Sequence, residues 1–204
     1  MKVKITPGFL LLQMCAVLII GIKCTLYAVI SAAIHEIGHF AAIVSLRGKV
    51  SALDLSAGGA EIRYTGKMSY KSDFIIAIMG PVANIASAFL AAKLLPPYGV
   101  IDKNLFSGAN MLYAAINLLP LSITDGGRAL DALLCMTIGS VAAERTISAL
   151  SLVFSLAIDL LGAVLLYYCG NPTLLFCGIF ITRSVNLKSI STNSRGEKIK
   201  KLFK

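Results

Sequence analysis

Apolar runs long enough to cross a bilayer recur along the whole chain, and they constrain the fold before any single residue does. A hydrocarbon core of about 30 Å takes about 20 residues of helix, with some tolerance for short or tilted spans. The runs are Gly8–Ile22, Thr25–Leu46, Phe74–Leu95, Leu105–Leu121, Ile147–Tyr168 and Thr173–Leu187. With 57% hydrophobic and 14% charged residues, the chain lies outside the composition of soluble domains. The fold class expected is an all-α polytopic membrane protein with about six transmembrane helices. The first, fourth and sixth runs are short, and the sixth contains Arg183. The stretch Ala129–Ala143 reads either as a short membrane-embedded helix or as part of a neighbouring span.

Charge orients these spans. Of the 19 Lys and Arg residues, Lys23, Lys93 and Lys103 fall on one side, and the rest fall on the side holding both termini. The positive-inside rule makes that side the cytoplasm. Topology and anionic lipid account for the net charge of +9, so the lipid bilayer is the expected partner and no nucleic acid is required. "MKVKITPGFLLLQMCAVLII" resembles a secretory signal, but no small-x-small cleavage site follows it. It reads as an uncleaved first helix. The five cysteines show no C-x-x-C spacing and read as small apolar helix residues.

Between the second and third spans, "KVSALDLSAGGAEIRYTGK" (Lys49–Lys67) alternates around Gly58-Gly59. That pattern predicts a small membrane-associated β-hairpin. Residues 1–190 read as one domain and residues 191–204 as a basic cytoplasmic tail.

The second span carries the chemistry. In "AAIHEIGHFAAIV", His35 and His39 are four residues apart. On a helix this brings both imidazoles to one face, with Cβ atoms about 6 Å apart, and lets them fill two corners of a tetrahedral zinc site. Glu36 points about 100° away, suited to a general base on the metal's water rather than to a ligand. An H-E-x-x-H also arises by chance, but these are the only two histidines in the chain. An imidazole pair with a carboxylate in mid-bilayer costs several kcal/mol unless compensated, and one zinc per chain supplies the compensation.

A catalytic zinc takes a third protein ligand and keeps one position open. No third histidine exists and cysteine is unmotivated, which leaves a carboxylate. Asp125, in "NLLPLSITDGGRAL", is the strongest candidate, because Gly126 and Gly127 let the chain turn tightly back. An ordinary Asp-Gly turn is the plainer reading, and Asp159, in the fifth span, is a rival ligand.

"HEIGH" in the second span, "GPVAN" (Gly80–Asn84) in the third and "NLLPLSITDGG" after the fourth together resemble the site-2 protease family of intramembrane zinc metalloproteases. Asn117, Pro120, Asp125 and Gly126 match that family's N-x-x-P-x-x-x-x-D-G motif. The resemblance covers residues 30 to 130 and implies that His35, His39 and Asp125 bind zinc, with Glu36 as base. It also implies a six-helix architecture whose core, about residues 25–130, is reached from the cytoplasm. The charge-based orientation agrees, placing His39 about 10 Å below the cytoplasmic surface. The chain has neither a lumenal PDZ domain nor a CBS pair, so it reads as a minimal member. "MKVKITPGFLL" and "SAGGAEI" are similar to the sporulation-type members, which process a membrane-associated sigma-factor precursor in the bacterial cell membrane.

The activity expected is hydrolysis of a peptide bond within or near a transmembrane segment of a membrane-associated protein substrate. Asn84 or Asn117 would hydrogen-bond the oxyanion or the substrate backbone. The hairpin would receive the unwound substrate as an added strand. The absence of a regulatory domain leaves room for a regulatory membrane partner. The competing reading is a small transporter or ion-conducting protein built on the intramembrane His and Asp residues.

Overall fold

The structure is a computed structural model describing residues 2–56, 59–66, 68–96 and 101–186, which divide into two compact units between Leu118 and Leu119. The first unit contains β1 (Lys2–Ile5), α1 (Pro7–Ser45), β2 (Lys49–Ser56), β3 (Gly59–Thr65), α2 (Tyr70–Leu94) and α3 (Lys103–Asn117). The second contains α4 (Asp125–Thr137), α5 (Ser140–Cys169) and the shorter α6 (Thr173–Asn186). By length and composition α1, α2 and α5 are able to cross a membrane, so this is a membrane protein. Helix covers most of each apolar run, the first two on the two ends of α1, while Leu105–Leu121 runs four residues past α3 and Leu187 of the last run lies outside the described residues. The tail at 191–204 lies outside the described residues.

The 39 residues of α1 would reach about 58 Å if straight. Both ends are nevertheless tied to β2. The backbone N–H of Thr6 donates to the Leu55 carbonyl at 2.9 Å. The ten residues from Ser45 to Leu55 span at most about 36 Å. The helix must therefore turn back on itself, and Gly21 is where it does so, with φ 80° and ψ 161°. A residue with a Cβ rarely enters that region, so the glycine makes the turn. The two helical runs read from sequence are the arms of this turn.

The expected hairpin is present, with β2 and β3 antiparallel and registered from Lys49↔Thr65 to Ser56↔Gly59. Residues 57–58, and with them Gly58 of the expected turn, lie outside the described residues, while Gly59 already belongs to β3. One strand was not expected. β1 lies parallel to β2, with Lys2↔Ala52 through Ile5↔Leu55, so the hairpin is part of a three-stranded sheet in the order β1-β2-β3. Ala42 and Ile43 of α1 and Ile76 of α2 are buried under Val50, Ile62 and Tyr64, which fixes the sheet to the ends of both helices.

α2 runs as one helix through Pro81. The missing N–H at that position leaves the Ala77 carbonyl without its helical donor and loosens the turn before it. Gly38 of α1 faces this turn. A Cβ there would collide with the Met79 carbonyl and Ala83, so the glycine sets how closely α1 and α2 approach.

In the second unit, Ala129–Ala143 is resolved into a separate helix, α4, followed by the start of α5. The loop before α4 is held by Thr124, whose hydroxyl donates to the Leu119 carbonyl at 2.5 Å, and by the Ser122 N–H, which donates to Ser151 Oγ of α5 at 2.7 Å. α5 and α6 meet where Gly162 faces the backbone of Leu174 and Leu175. Nearby, the Thr182 hydroxyl donates to Asp159 Oδ2 at 2.7 Å, and Gly178 lies against Oδ1. The intramembrane carboxylate of Asp159 thus has its partner in its own unit.

Candidate metal centre

His35 and His39 are buried on the second arm of α1, their rings 4.6 Å apart and nearly perpendicular. The surrounding hydrogen bonds determine what each ring presents. His39 Nδ1 lies 2.7 Å from the Ile76 carbonyl, in the turn of α2 that precedes Pro81. A carbonyl only accepts, so Nδ1 carries a hydrogen, and in the neutral ring Nε2 then carries the lone pair.

His35 is held by a longer chain of bonds with the same result. Its Nδ1 lies 2.7 Å from Asn84 Oδ1. The Asn84 amide nitrogen donates at 2.8 Å both to the Ser31 carbonyl and to Asn110 Oδ1. Asn110 in turn donates from its own amide nitrogen to the Phe106 carbonyl at 3.0 Å. The two backbone carbonyls fix both amide orientations, and with them the Nδ1–H form of His35. Asn84 and Asn110 have no exposed surface, so water does not compete for these bonds.

Both rings thus turn Nε2 to one place, within hydrogen-bond distance of each other at 3.0 Å. Two lone pairs at that spacing repel unless a proton or a metal cation lies between them. Zinc–nitrogen bonds of about 2.0–2.1 Å at a tetrahedral angle would separate two nitrogens by about 3.3 Å, close to this spacing. Ring N–H groups donating to a carbonyl and to an amide are the outer support that metal-bound histidines ordinarily receive. Gly80 provides the space. A Cβ there would lie 2.5 Å from His39 Nε2, 2.6 Å from His39 Cε1 and 2.7 Å from His35 Nε2, against the edges of both rings. The residues present fit a metal ion.

Glu36, one residue along α1, is half-buried. It lines a cavity of about 610 Å³ enclosed by both arms of α1, by β2 and β3 and by Tyr113. Phe9, Leu12, Leu53, Leu55 and Ile62 make that cavity apolar, and Glu36 is its one charged side chain. Asn117 donates its amide to the Tyr113 carbonyl, one turn back on its own helix, at 3.0 Å. Asp125 is buried in the first turn of α4, with Arg128 Nη1 3.4 Å from Oδ1. Behind it Gly127 is packed so closely that a Cβ would overlap the Leu121 carbonyl.

No family model matches the chain. It is similar to stage IV sporulation protein FB of Bacillus subtilis (strain 168), with 29% identity over 172 residues, covering 82% of this chain and 58% of that protein. The chain therefore spans less than two thirds of that relative's length. Among solved structures, the site-2 protease from Methanocaldococcus jannaschii aligns with a TM-score of 0.71 at 18% identity, covering 92% of this chain and 90% of that one. The chain has the fold of a site-2 protease. The resemblance read from its three motifs holds in both sequence and fold.

Within this site-2 protease fold, the structure brings His35, His39 and Asn84 together and gives Asn84 a task the motif alone did not reveal. Both its amide hydrogens are engaged, on the Ser31 carbonyl and Asn110 Oδ1, and its oxygen lies on His35 Nδ1. Asn110 and Tyr113, whose ring meets His35 edge-on at 5.0 Å, were missed by the sequence reading. A signal existed: Asn110, Tyr113 and Asn117 follow one another at spacings of three and four, which puts them on one face of an otherwise apolar helix.

Proposed function

We propose that this chain is an intramembrane zinc metalloprotease that hydrolyses a peptide bond within or near a transmembrane segment of a membrane-associated protein. The observation that carries the reading is the convergence of two Nε2 lone pairs beside Gly80, with Glu36 one residue away in an apolar cavity. His35 and His39 hold the metal. Asp125 completes the ligand set, supported by its register in the N-x-x-P-x-x-x-x-D-G motif and by its carboxylate chemistry.

Zinc held by these residues supplies Lewis-acid activation of water and of the scissile carbonyl. Glu36 takes a proton from the water as the new C–O bond forms, and returns it to the leaving amine as the C–N bond breaks. The apolar walls around Glu36 receive an unwound apolar segment and exclude bulk water, and the sheet offers its edge to the segment's unpaired backbone. Asn117 is the candidate donor to the oxyanion. Both termini and the metal entrance lie on the cytoplasmic side of a six-span protein, as the charge bias supports. Similarity to a sporulation protein makes a membrane-associated sigma-factor precursor the substrate to try first. The transporter reading rests on the intramembrane His and Asp residues and on Pro81; of these, Asp159 accepts from Thr182.

Elemental analysis of detergent-purified protein tests the metal. About one zinc per chain in wild type, lost in His39→Ala and Asp125→Ala, is expected, and a zinc-free wild type would sink the reading. Co-expression with such a precursor tests the chemistry. Glu36→Gln should keep its zinc while cleavage falls about 10²- to 10⁴-fold.

A further inference from the structure

Asn110 stands on α3, one residue removed from any group that touches the imidazoles, yet the bond sequence Phe106 carbonyl, Asn110, Asn84, His35 is continuous. We propose that Asn110 is a positioning residue that holds the metal centre in its metal-binding form by fixing the tautomer of His35. Consider the Asn84 amide turned end for end. Its oxygen would then face both the Ser31 carbonyl and Asn110 Oδ1, two acceptors now 2.8 Å from the amide nitrogen. Its NH₂ would face His35 Nδ1, which would have to become the acceptor. The hydrogen would move to His35 Nε2, 3.0 Å from His39 Nε2. The two histidines would then bond one another and close the position where their lone pairs converge.

The centre therefore has two hydrogen-bond arrangements, one open to a cation with every amide bond made, and one closed on itself that sets the Asn84 oxygen against two acceptors. Ser31 and Asn110 are the two acceptors that penalise the closed one. Ser31 contributes through its backbone, which no side-chain change removes. Asn110 contributes through its side chain, so the preference is encoded there. It also ties α3 to the metal ligands of α1 through α2.

The two histidines make the test direct, because a chain labelled with ¹⁵N-histidine gives signals from His35 and His39 alone. Metal-free full-length protein in lipid at about pH 8, where imidazoles are mostly neutral, should show both rings as Nδ1–H. In Asn110→Leu, His35 should acquire an Nε2–H population, whereas His39, anchored on the Ile76 carbonyl, supplies the acceptor and stays Nδ1–H. Zinc affinity by chelator competition should weaken about 10- to 100-fold. Asn110→Asp, which keeps the acceptor facing Asn84, should restore both readouts. Ser107→Ala removes a bond to the Ala88 carbonyl from the same helix without touching the relay. It should move neither.

His35 remaining wholly Nδ1–H in Asn110→Leu, or zinc affinity falling equally in Ser107→Ala, would overturn the proposal. Should Asn110→Leu not fold, Asn110→Ala decides on the same signals. The affinity readout rests on the metalloprotease reading and the tautomer readout does not. A wild type that binds no zinc would defeat the former while leaving the latter to decide the relay.

Discussion

Two places in this molecule put ionisable side chains inside apolar helices, and they are built in opposite ways. In the first unit, His35 and His39 direct their hydrogens outward to protein acceptors and their lone pairs inward to a shared point. In the second, Asp159 accepts from Thr182 across the α5–α6 contact, and its other oxygen has no hydrogen-bond partner among the described residues. Both sites face a glycine, Gly80 in one and Gly178 in the other. The difference shows what separates a binding centre from an interhelical bond. The histidine site spends its Nδ1 hydrogens on protein acceptors and turns both Nε2 atoms to one place. An interhelical bond spends its donor on the neighbouring helix.

The glycines give the sharpest way to break that comparison. Gly80→Ala places a methyl against the Nε2 edges of two rings whose positions are fixed by buried bonds. Zinc content should fall from about one per chain to background, with the fold intact by circular dichroism. Gly178→Ala meets mainly the end of the Asp159 carboxylate, which can rotate aside. Its zinc content should match wild type, with only a reduced thermal midpoint. Equal zinc loss in the two variants would mean that Gly80 is a packing glycine and not part of a metal cradle.

The hydrogen-bond partners come next in size. Removing the acceptor of His35 with Asn84→Leu should weaken zinc binding about 10- to 100-fold, since such outer partners typically contribute that much. Removing the donor to Asp159 with Thr182→Val should leave zinc unchanged. Its cost, read from unfolding in mild detergent, should be about 0.6–1.7 kcal/mol, the range for hydrogen bonds between membrane helices. A zinc deficit in Thr182→Val would erase the distinction between the two sites.

The contrast was half legible in the sequence. The i, i+4 histidines, the Gly-Pro element and the alternation of Lys49–Lys67 are local patterns, and each appears where its periodicity places it. What stayed hidden was non-local. β1 is four residues long and two of them are lysines, so it reads as a charged flank. Only its pairing with β2, some fifty residues later, makes it a strand. The roles of Asn84 and Asn110 depend on which helix each faces, and periodicity gives a face without naming the neighbour. Asp159 read as a rival metal ligand for the same reason. A carboxylate in an apolar run signals a partner, and the partner, Thr182, is identified only by how α5 packs on α6.

The smallest effect expected lies at the other end of the first unit and tests whether its exposed charges matter at all. Asp102 caps α3, accepting from the Leu105 N–H at 3.1 Å, and pairs with Lys23, just beyond the Gly21 turn, at 3.3 Å. Its own N–H donates to Tyr27 Oη at 2.9 Å. The Leu105 N–H, and after it Lys23, hold the carboxyl below its ordinary range. A carboxyl whose pKa is lower folded than unfolded adds stability above the unfolded value, about pH 4, and loses it as pH falls through the folded one. Acid unfolding of Asp102→Asn should therefore lack part of the wild-type pH dependence below about pH 4 and converge on wild type at the acid end. The group is exposed, so salt should shrink the difference. Zinc binding at neutral pH should be the same in both, because the pair holds the entrance of α3 and not the relay that starts at Phe106. A zinc defect in Asp102→Asn would extend the orienting network of His35 along α3 to its cap, and would make the end of the helix part of the centre.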